Sequence, residues 1–68
     1  MNELKLVNSG DRLLNMDEAC SLLGIRKATL YDMTMRKQIT FVKIGKLNRF
    51  RMSDIKDFIN KRIVEKVN

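Results

Sequence analysis

Residues 14–35 read LNMDEACSLLGIRKATLYDMTM, and this stretch decides the fold. Its start predicts a helix from about Met16, because Asn15 can cap the helix and Glu18 can reach back as in a capping box. The apolar residues that follow recur at the spacing of one helical face. They are Met16, Ala19, Cys20 and Leu23. Gly24 predicts the end of this first helix, since glycine tolerates the left-handed conformation of a helix C terminus.

A second helical segment follows a tight link at residues 23–25, and we expect it to span residues 27–36. Its side chains divide between two faces. One face carries Leu30, Met33 and Thr34, and the other carries mostly Ala28, Tyr31, Asp32 and Met35. Two short helices joined by a glycine turn are typical of a helix-turn-helix.

The pattern changes after the second helix to the alternation of β-strands. We expect a hairpin with strands at residues 40–44 and 49–51. In the second strand Phe50 points inward between Arg49 and Arg51. The hairpin is therefore predicted to present a basic outer face.

The first strand of the hairpin is expected to place Val42 and Ile44 on one side and Lys43 on the other. Phe41 alternates out of register with Val42 and Ile44, and we therefore expect it to be exposed. An exposed phenylalanine would contact a neighbouring subunit or a partner protein. The alternative is a bulge that turns Phe41 inward.

A third helix is predicted after the hairpin, with Ser53 as its cap and Asp54 in its first turn. The side chains at helical spacing that close the core are Ile55, Phe58, Ile59, Arg62 and Ile63. Residues 1–12 lack a sustained period, and we interpret them as an N-terminal arm, with a short edge strand at residues 4–6 as the alternative. The folded domain is expected to span residues 13–68.

Charge is the second feature that bears on function. The 68 residues include 14 Lys and Arg against 8 Asp and Glu, a net charge of +6. This excess favours a polyanionic partner, although a basic surface without a specific partner gives the same total. The distribution separates the two interpretations, because 8 of the 14 cations lie around the second helix and on the hairpin. They are Arg26, Lys27, Arg36, Lys37, Lys43, Lys46, Arg49 and Arg51.

The residue types exclude several kinds of active site. Without histidine the chain cannot build a Ser-His-Asp triad or a histidine-based zinc site. Isolated glycines do not make a phosphate-binding loop, and the carboxylates of Asp17 and Glu18 stand in the first turn of a helix, where capping is their expected role. The single cysteine, Cys20, lies on the apolar face of the first helix, which favours packing over redox or metal chemistry. We expect no catalysis, no cofactor and no metal.

The sequence also bears on location. It contains no apolar run of the length that a signal peptide or a bilayer-spanning helix requires. One cysteine cannot form an internal disulfide, which favours a reducing compartment. We therefore expect a cytoplasmic protein that makes no membrane contact.

Several motifs carry a resemblance to a known family. The run from Leu14 to Tyr31 is followed by Val42-Lys43-Ile44-Gly45 and then by Arg49-Phe50. Over about residues 13–61 the chain resembles the excisionase-type winged helix-turn-helix family, a relative of MerR-type DNA-binding domains. The resemblance implies an α+β fold with two helices, a two-stranded β-hairpin wing and a C-terminal helix. It also implies binding to DNA through the second helix and the wing, often by cooperative assembly that bends DNA during excision of a phage or transposon.

Four positions depart from the family pattern. Arg26 replaces a usual serine, so the second helix loses a good cap and gains a group that attracts phosphates. Lys37 replaces a helix-ending glycine and Thr40 replaces a proline, so we expect a looser entry to the wing. Asn48 replaces a tryptophan, which removes an apolar anchor beneath the wing tip.

The element order and the two faces of the second helix predict a DNA-binding site. The residues expected near base edges are Lys27, Ala28, Asp32 and Met35, and Asp32 can accept a hydrogen bond from a cytosine amino group. The residues expected at phosphates are Arg26, Thr29, Tyr31 and Arg36, together with Lys43, Lys46, Arg49 and Arg51 on the wing. Packing against the wing is the alternative role of Tyr31.

Three functions follow as hypotheses. The first is a sequence-specific DNA-binding protein of a mobile element, bacterial or phage-encoded and nucleoid-associated. It would act as an excisionase, or recombination directionality factor, beside an integrase or recombinase and further copies of itself. The second is a small transcriptional regulator with the same domain, since a fold does not fix a biological role. The third is a protein-interaction module that binds an acidic partner through its basic face. This hypothesis is the weakest, because it gives no reason for the helix-turn-helix and the wing.

Overall fold

The computed structural model describes residues 11–66. The elements in chain order are β1 (Leu13–Leu14), α1 (Met16–Leu23), α2 (Lys27–Met35), β2 (Val42–Ile44), β3 (Leu47–Arg51) and α3 (Met52–Asn60). Three helices and an antiparallel sheet confirm the predicted α+β class. Most of the predicted N-terminal arm, including the alternative strand at residues 4–6, lies outside the described residues.

The capping signals predicted for α1 are confirmed. Asn15 accepts a hydrogen bond from the Glu18 amide at 2.8 Å, and the Glu18 carboxylate accepts one from the Asn15 amide at 2.9 Å. Gly24 ends the helix in the left-handed region at φ 68°, and its amide donates to the Cys20 carbonyl at 2.8 Å. Residues in α1 or directly beside it therefore supply the caps at both of its ends.

Strand β1 is an element that the sequence pattern did not predict. The sheet order is β1-β3-β2, with Leu13 opposite Arg51 and Leu14 opposite Phe50. Residues that pair across antiparallel strands share one face of the sheet. Leu14 and Phe50 lie together on the face that packs against the core, and both are fully buried. The wing is thus anchored to the segment that precedes α1.

The register of the wing corrects the predicted faces. Val42 pairs with Arg49, and Ile44 pairs with Leu47 across the two-residue turn that begins at Gly45. Side chains alternate along a strand, and Phe50 points into the core. Leu47 and Arg49 therefore lie on the outer side of the sheet, together with their cross-strand partners Ile44 and Val42. The prediction of a purely basic outer face is therefore wrong, because Ile44 and Leu47 are 49% and 54% exposed there.

Phe41 is also placed differently from the prediction. Its side chain is half-buried against the core, and its ring centroid lies 6.5 Å from that of Phe50. The expectation of an exposed contact residue is wrong, because Phe41 lies on the inner side of the hairpin with Phe50. Phe41 therefore packs on Phe50 of the same chain and does not form an exposed contact for another protein.

The start of α3 shows a cap from an unexpected source. The helix begins at Met52, one residue before the predicted cap Ser53, and Arg51 at the cap position makes no capping hydrogen bond through its side chain. The Asp11 carboxylate instead accepts hydrogen bonds from the Ser53 amide and the Ser53 hydroxyl, both at 2.8 Å. Asp54 lies in the first turn as predicted.

The helices pack on one small core. Its buried apolar residues are Leu14, Ala19, Cys20, Leu30, Ile39, Phe50 and Ile55. The predicted apolar face of α1 is confirmed, with Ala19 and Cys20 buried. The apolar stripe predicted for α3 is too long, because the helix ends at Asn60 and Ile63 lies beyond it, 57% exposed.

Candidate nucleic-acid interface

Helix α2 has one face in the core and one face in solvent. Leu30 and Thr34 are buried, and the Thr34 hydroxyl donates to the Tyr31 carbonyl at 2.6 Å. The predicted contact residues of this helix are all exposed; they are Lys27, Ala28, Thr29, Tyr31, Asp32 and Met35, with Arg36 directly after them. Because nothing in residues 11–66 covers this face, it is available along the whole helix.

The N-terminal end of α2 is cationic. Arg26 occupies the cap position and makes no side-chain capping hydrogen bond, as the departure from serine predicted. Lys27 donates to the Asp17 carboxylate, with Nζ 2.9 Å from Oδ1, and this contact raises the pKa of Lys27 above its ordinary value. Both side chains of the pair are mainly exposed, so water and salt screen the attraction and a phosphate can replace the carboxylate.

The C-terminal end of α2 carries two further cations. Arg36 forms an ion pair with Asp32, with Nε 3.1 Å from Oδ2. Lys37 has φ 57°, in the left-handed region that residues other than glycine, asparagine and aspartate seldom adopt. Its amide donates to Thr34, and the next amide donates to Met33, which together form a Schellman motif.

The wing contributes cations that differ in how firmly they are held. Lys43 and Lys46 are exposed near the turn. Arg49 is half-buried and donates to the carbonyl of its own neighbour, Asn48, at 3.0 Å. Arg51 makes two hydrogen bonds to the Asp54 carboxylate, at 2.6 and 3.0 Å, and this contact raises the pKa of Arg51. Arg51 is therefore occupied in joining β3 to α3, whereas the other three remain open to an anion.

The wing also contains a buried polar group. The side-chain oxygen of Asn48 is buried and has no hydrogen-bond partner within the described part of the chain. Asn48 lies opposite Lys43 on the inner side of the hairpin. A buried polar atom without a partner costs free energy, so this position favours an apolar side chain.

Cys20 has the buried position that its place on the apolar face predicted. Burial raises the pKa of its thiol, which disfavours the reactive thiolate. Within residues 11–66 no cluster of three metal-binding side chains occurs, and no helix there is long and apolar enough to cross a membrane.

The fold and this surface define a class of protein. A short helix between cationic ends, exposed along one face and followed by a β-hairpin, is the arrangement of a DNA-binding helix-turn-helix protein. The chain belongs to the helix-turn-helix domain family, whose model matches residues 13–63 and which includes excisionase-like proteins. Comparison with curated proteins and with solved structures gives no match.

Two features of this surface were missed by the sequence-based prediction of the site. Lys37 was counted among the clustered cations but was left out of the predicted contact residues, and its left-handed conformation was not foreseen because lysine seldom adopts it. Ile44 and Leu47 were missed because their exposure depends on the strand register, which the alternation within one strand does not reveal.

Proposed function

We propose that this protein is an excisionase, or recombination directionality factor, of a mobile genetic element, which binds and bends specific DNA. Helix α2 enters the major groove, and the wing contacts the neighbouring backbone. The observation that carries the DNA-binding part is the uncovered face of α2, on which Ala28, Asp32 and Met35 are exposed while Leu30 and Thr34 hold the helix on the core.

Dimensions support this placement. Nine residues of α-helix extend about 13 Å, and the major groove of B-DNA is about 12 Å wide. When α2 lies in the groove, its two cationic ends reach towards phosphates on opposite sides. The small and uncharged Ala28 allows close approach to base edges, and Asp32 and Met35 offer a polar and an apolar contact.

The charge of the wing supports contact with the backbone. Residues 40–51 contain four cations and no carboxylate. Within the described residues Arg51 alone of these four pairs with a carboxylate, that of Asp54, so the rest of the wing carries a net positive charge that attracts a polyanion. We therefore assign the wing to phosphates, with Lys46 at its turn and Lys43 and Arg49 on its two opposite faces as the open cations.

The excisionase role rests on the family, which includes excisionase-like proteins. As an excisionase the protein would act with an integrase or recombinase and bind DNA in several copies. It would be encoded by a bacterium or phage, act in the cytoplasm, and perform no catalysis itself. The same domain in a transcriptional regulator would bind a promoter without any effect on recombination.

One experiment separates these roles. The protein is tested by gel shift on DNA flanking its gene, and in parallel in a recombination assay with the integrase encoded nearby. We expect discrete complexes that bend the DNA and an excision reaction that depends on the protein. Binding at a promoter with no effect on excision would leave the regulator, and binding only to an acidic protein would overturn DNA binding altogether.

A further inference from the structure

A cleft lies between the C-terminal end of α2 and the start of the wing. It is open, has a volume of about 380 Å³, and is lined by Lys37, Gln38, Ile39, Thr40 and Phe41. Lys37 supplies a cation at its edge. Within residues 11–66 the amide of Thr40 donates to no backbone carbonyl.

We propose that this cleft holds one phosphate of the DNA backbone, with Lys37 as its cation. The proposal rests on the proposed DNA binding by α2 and adds a site outside the predicted contact residues. It makes Lys37 a binding residue whose backbone conformation is less stable than it would be with glycine at this position.

The conformation of Lys37 is the first argument. At φ 57° a lysine is less stable than a glycine would be, because its Cβ crowds the neighbouring carbonyl oxygen. The two hydrogen bonds of the Schellman motif involve only backbone atoms, so a glycine would make them equally well. The attraction between the lysine ammonium and the helix dipole is worth about 0.3–1 kcal/mol at an exposed helix end, which does not exceed the cost of about 1–2 kcal/mol for the left-handed conformation. Residues held in such conformations cluster at binding sites.

The neighbouring charges are the second argument. Arg36, the other cation at this end of α2, is paired with Asp32. Within the described residues no carboxylate lies within ion-pair distance of Lys37, which leaves its ammonium open to an anion. Because α2 is about as long as the major groove is wide, an ammonium just beyond its end lies at the level of the phosphates.

The test uses four variants of the whole chain and a duplex selected from a random pool by the wild-type protein. Lys37→Gly removes both the charge and the strain, Lys37→Asn removes the charge at a residue that tolerates the conformation, and Lys37→Arg keeps the charge. Lys56→Gln removes an equal charge from the exposed side of α3. Thermal unfolding and DNA affinity over a range of salt concentrations are measured for each.

Opposite signs are expected for stability and binding. Lys37→Gly should raise the midpoint of thermal unfolding by about 2–8 °C. It should weaken binding to selected and random duplexes alike by about 5- to 10-fold near 0.1 M salt, with a salt slope shallower by about 0.9. Lys37→Asn should lose as much affinity, whereas Lys37→Arg and Lys56→Gln should stay close to the wild type.

A set of duplexes, each with one neutral methylphosphonate, identifies the phosphate. A methylphosphonate at the phosphate that Lys37 contacts should weaken the binding of the wild type but leave the affinity of Lys37→Gly unchanged. Unchanged affinity and slope in Lys37→Gly, or additive losses at every position, would overturn the site while leaving DNA binding intact. A wild-type protein that selects no duplex and binds DNA without salt dependence would instead overturn the proposed function, and the cleft with it.

Discussion

The Asp32 carboxylate lies 3.1 Å from Nε of Arg36, one turn further along the exposed face of α2. The pair holds a carboxylate and a guanidinium together where DNA is proposed to bind. Two roles for Asp32 follow, since it either accepts a hydrogen bond from a base or merely weakens the attraction of Arg36 for phosphates. These roles predict opposite effects of its removal.

The first prediction concerns Asp32→Ala. If Asp32 accepts from a cytosine amino group, affinity for the selected duplex should fall by about 1–3 kcal/mol while binding to random DNA holds or strengthens. We expect this result in fluorescence anisotropy titrations. The matched control is Asp57→Ala, which breaks the Asp57–Lys61 pair at the same spacing and similar exposure on α3. A rise in affinity for both the selected duplex and random DNA would mean that Asp32 has no role in base recognition.

The second prediction separates the two arginines of β3. Arg49→Ala should weaken binding to all duplexes about equally and make the salt slope shallower by up to about 0.9, because a phosphate contact positions without reading sequence. Arg51→Ala should lower stability, because Arg51 joins β3 to α3 through Asp54. Salt titrations and thermal unfolding of both variants provide the check. A shallower slope in Arg51→Ala at full stability would contradict the assignment.

The third prediction concerns the buried oxygen of Asn48. Asn48→Leu should raise the free energy of unfolding by about 1–2 kcal/mol, because it removes an unpaired polar group and adds an apolar anchor of similar size. Urea unfolding measures the change. Asn60→Leu at the exposed end of α3 is the control and should have little effect. A loss of stability in Asn48→Leu would mean that the oxygen has a partner outside the described residues.

The fourth prediction is a dependence of stability on pH. The Ser53 amide and hydroxyl donate to Asp11 and hold the pKa of its carboxyl below the ordinary value of 3.8. A lowered pKa in the folded state stabilises the fold above the ordinary pKa, and this contribution is lost as pH falls through the folded value. Asp11→Asn should therefore be less stable than the wild type near neutral pH, with a difference that shrinks below about pH 4. A difference that stays constant with pH would mean that the charge of Asp11 does not cap α3.

Local signals explain why some elements were predicted from sequence. The Asn15 capping box and the Gly24 stop involve residues within one helix, so the pattern alone located α1 and the turn to α2. The exposed face of α2 followed from helical spacing for the same reason.

Contacts between distant residues explain what was missed. The Asp11–Ser53 cap joins residues 42 positions apart, and β1 exists only because Leu13 and Leu14 meet the end of β3. The outer face of the wing depends on register, which the two-residue turn at Gly45 sets. None of these can be derived from the periodicity of a single segment.

The central claim is that the exposed face of α2 and the wing bind DNA. An NMR titration of the isotope-labelled protein with the selected duplex tests it most directly, because each backbone amide reports its own environment. The largest shifts should fall in residues 27–37 and 43–49, with little change at Lys56 and Ile59 on α3. Largest shifts on α3, or equally small shifts throughout, would contradict the account.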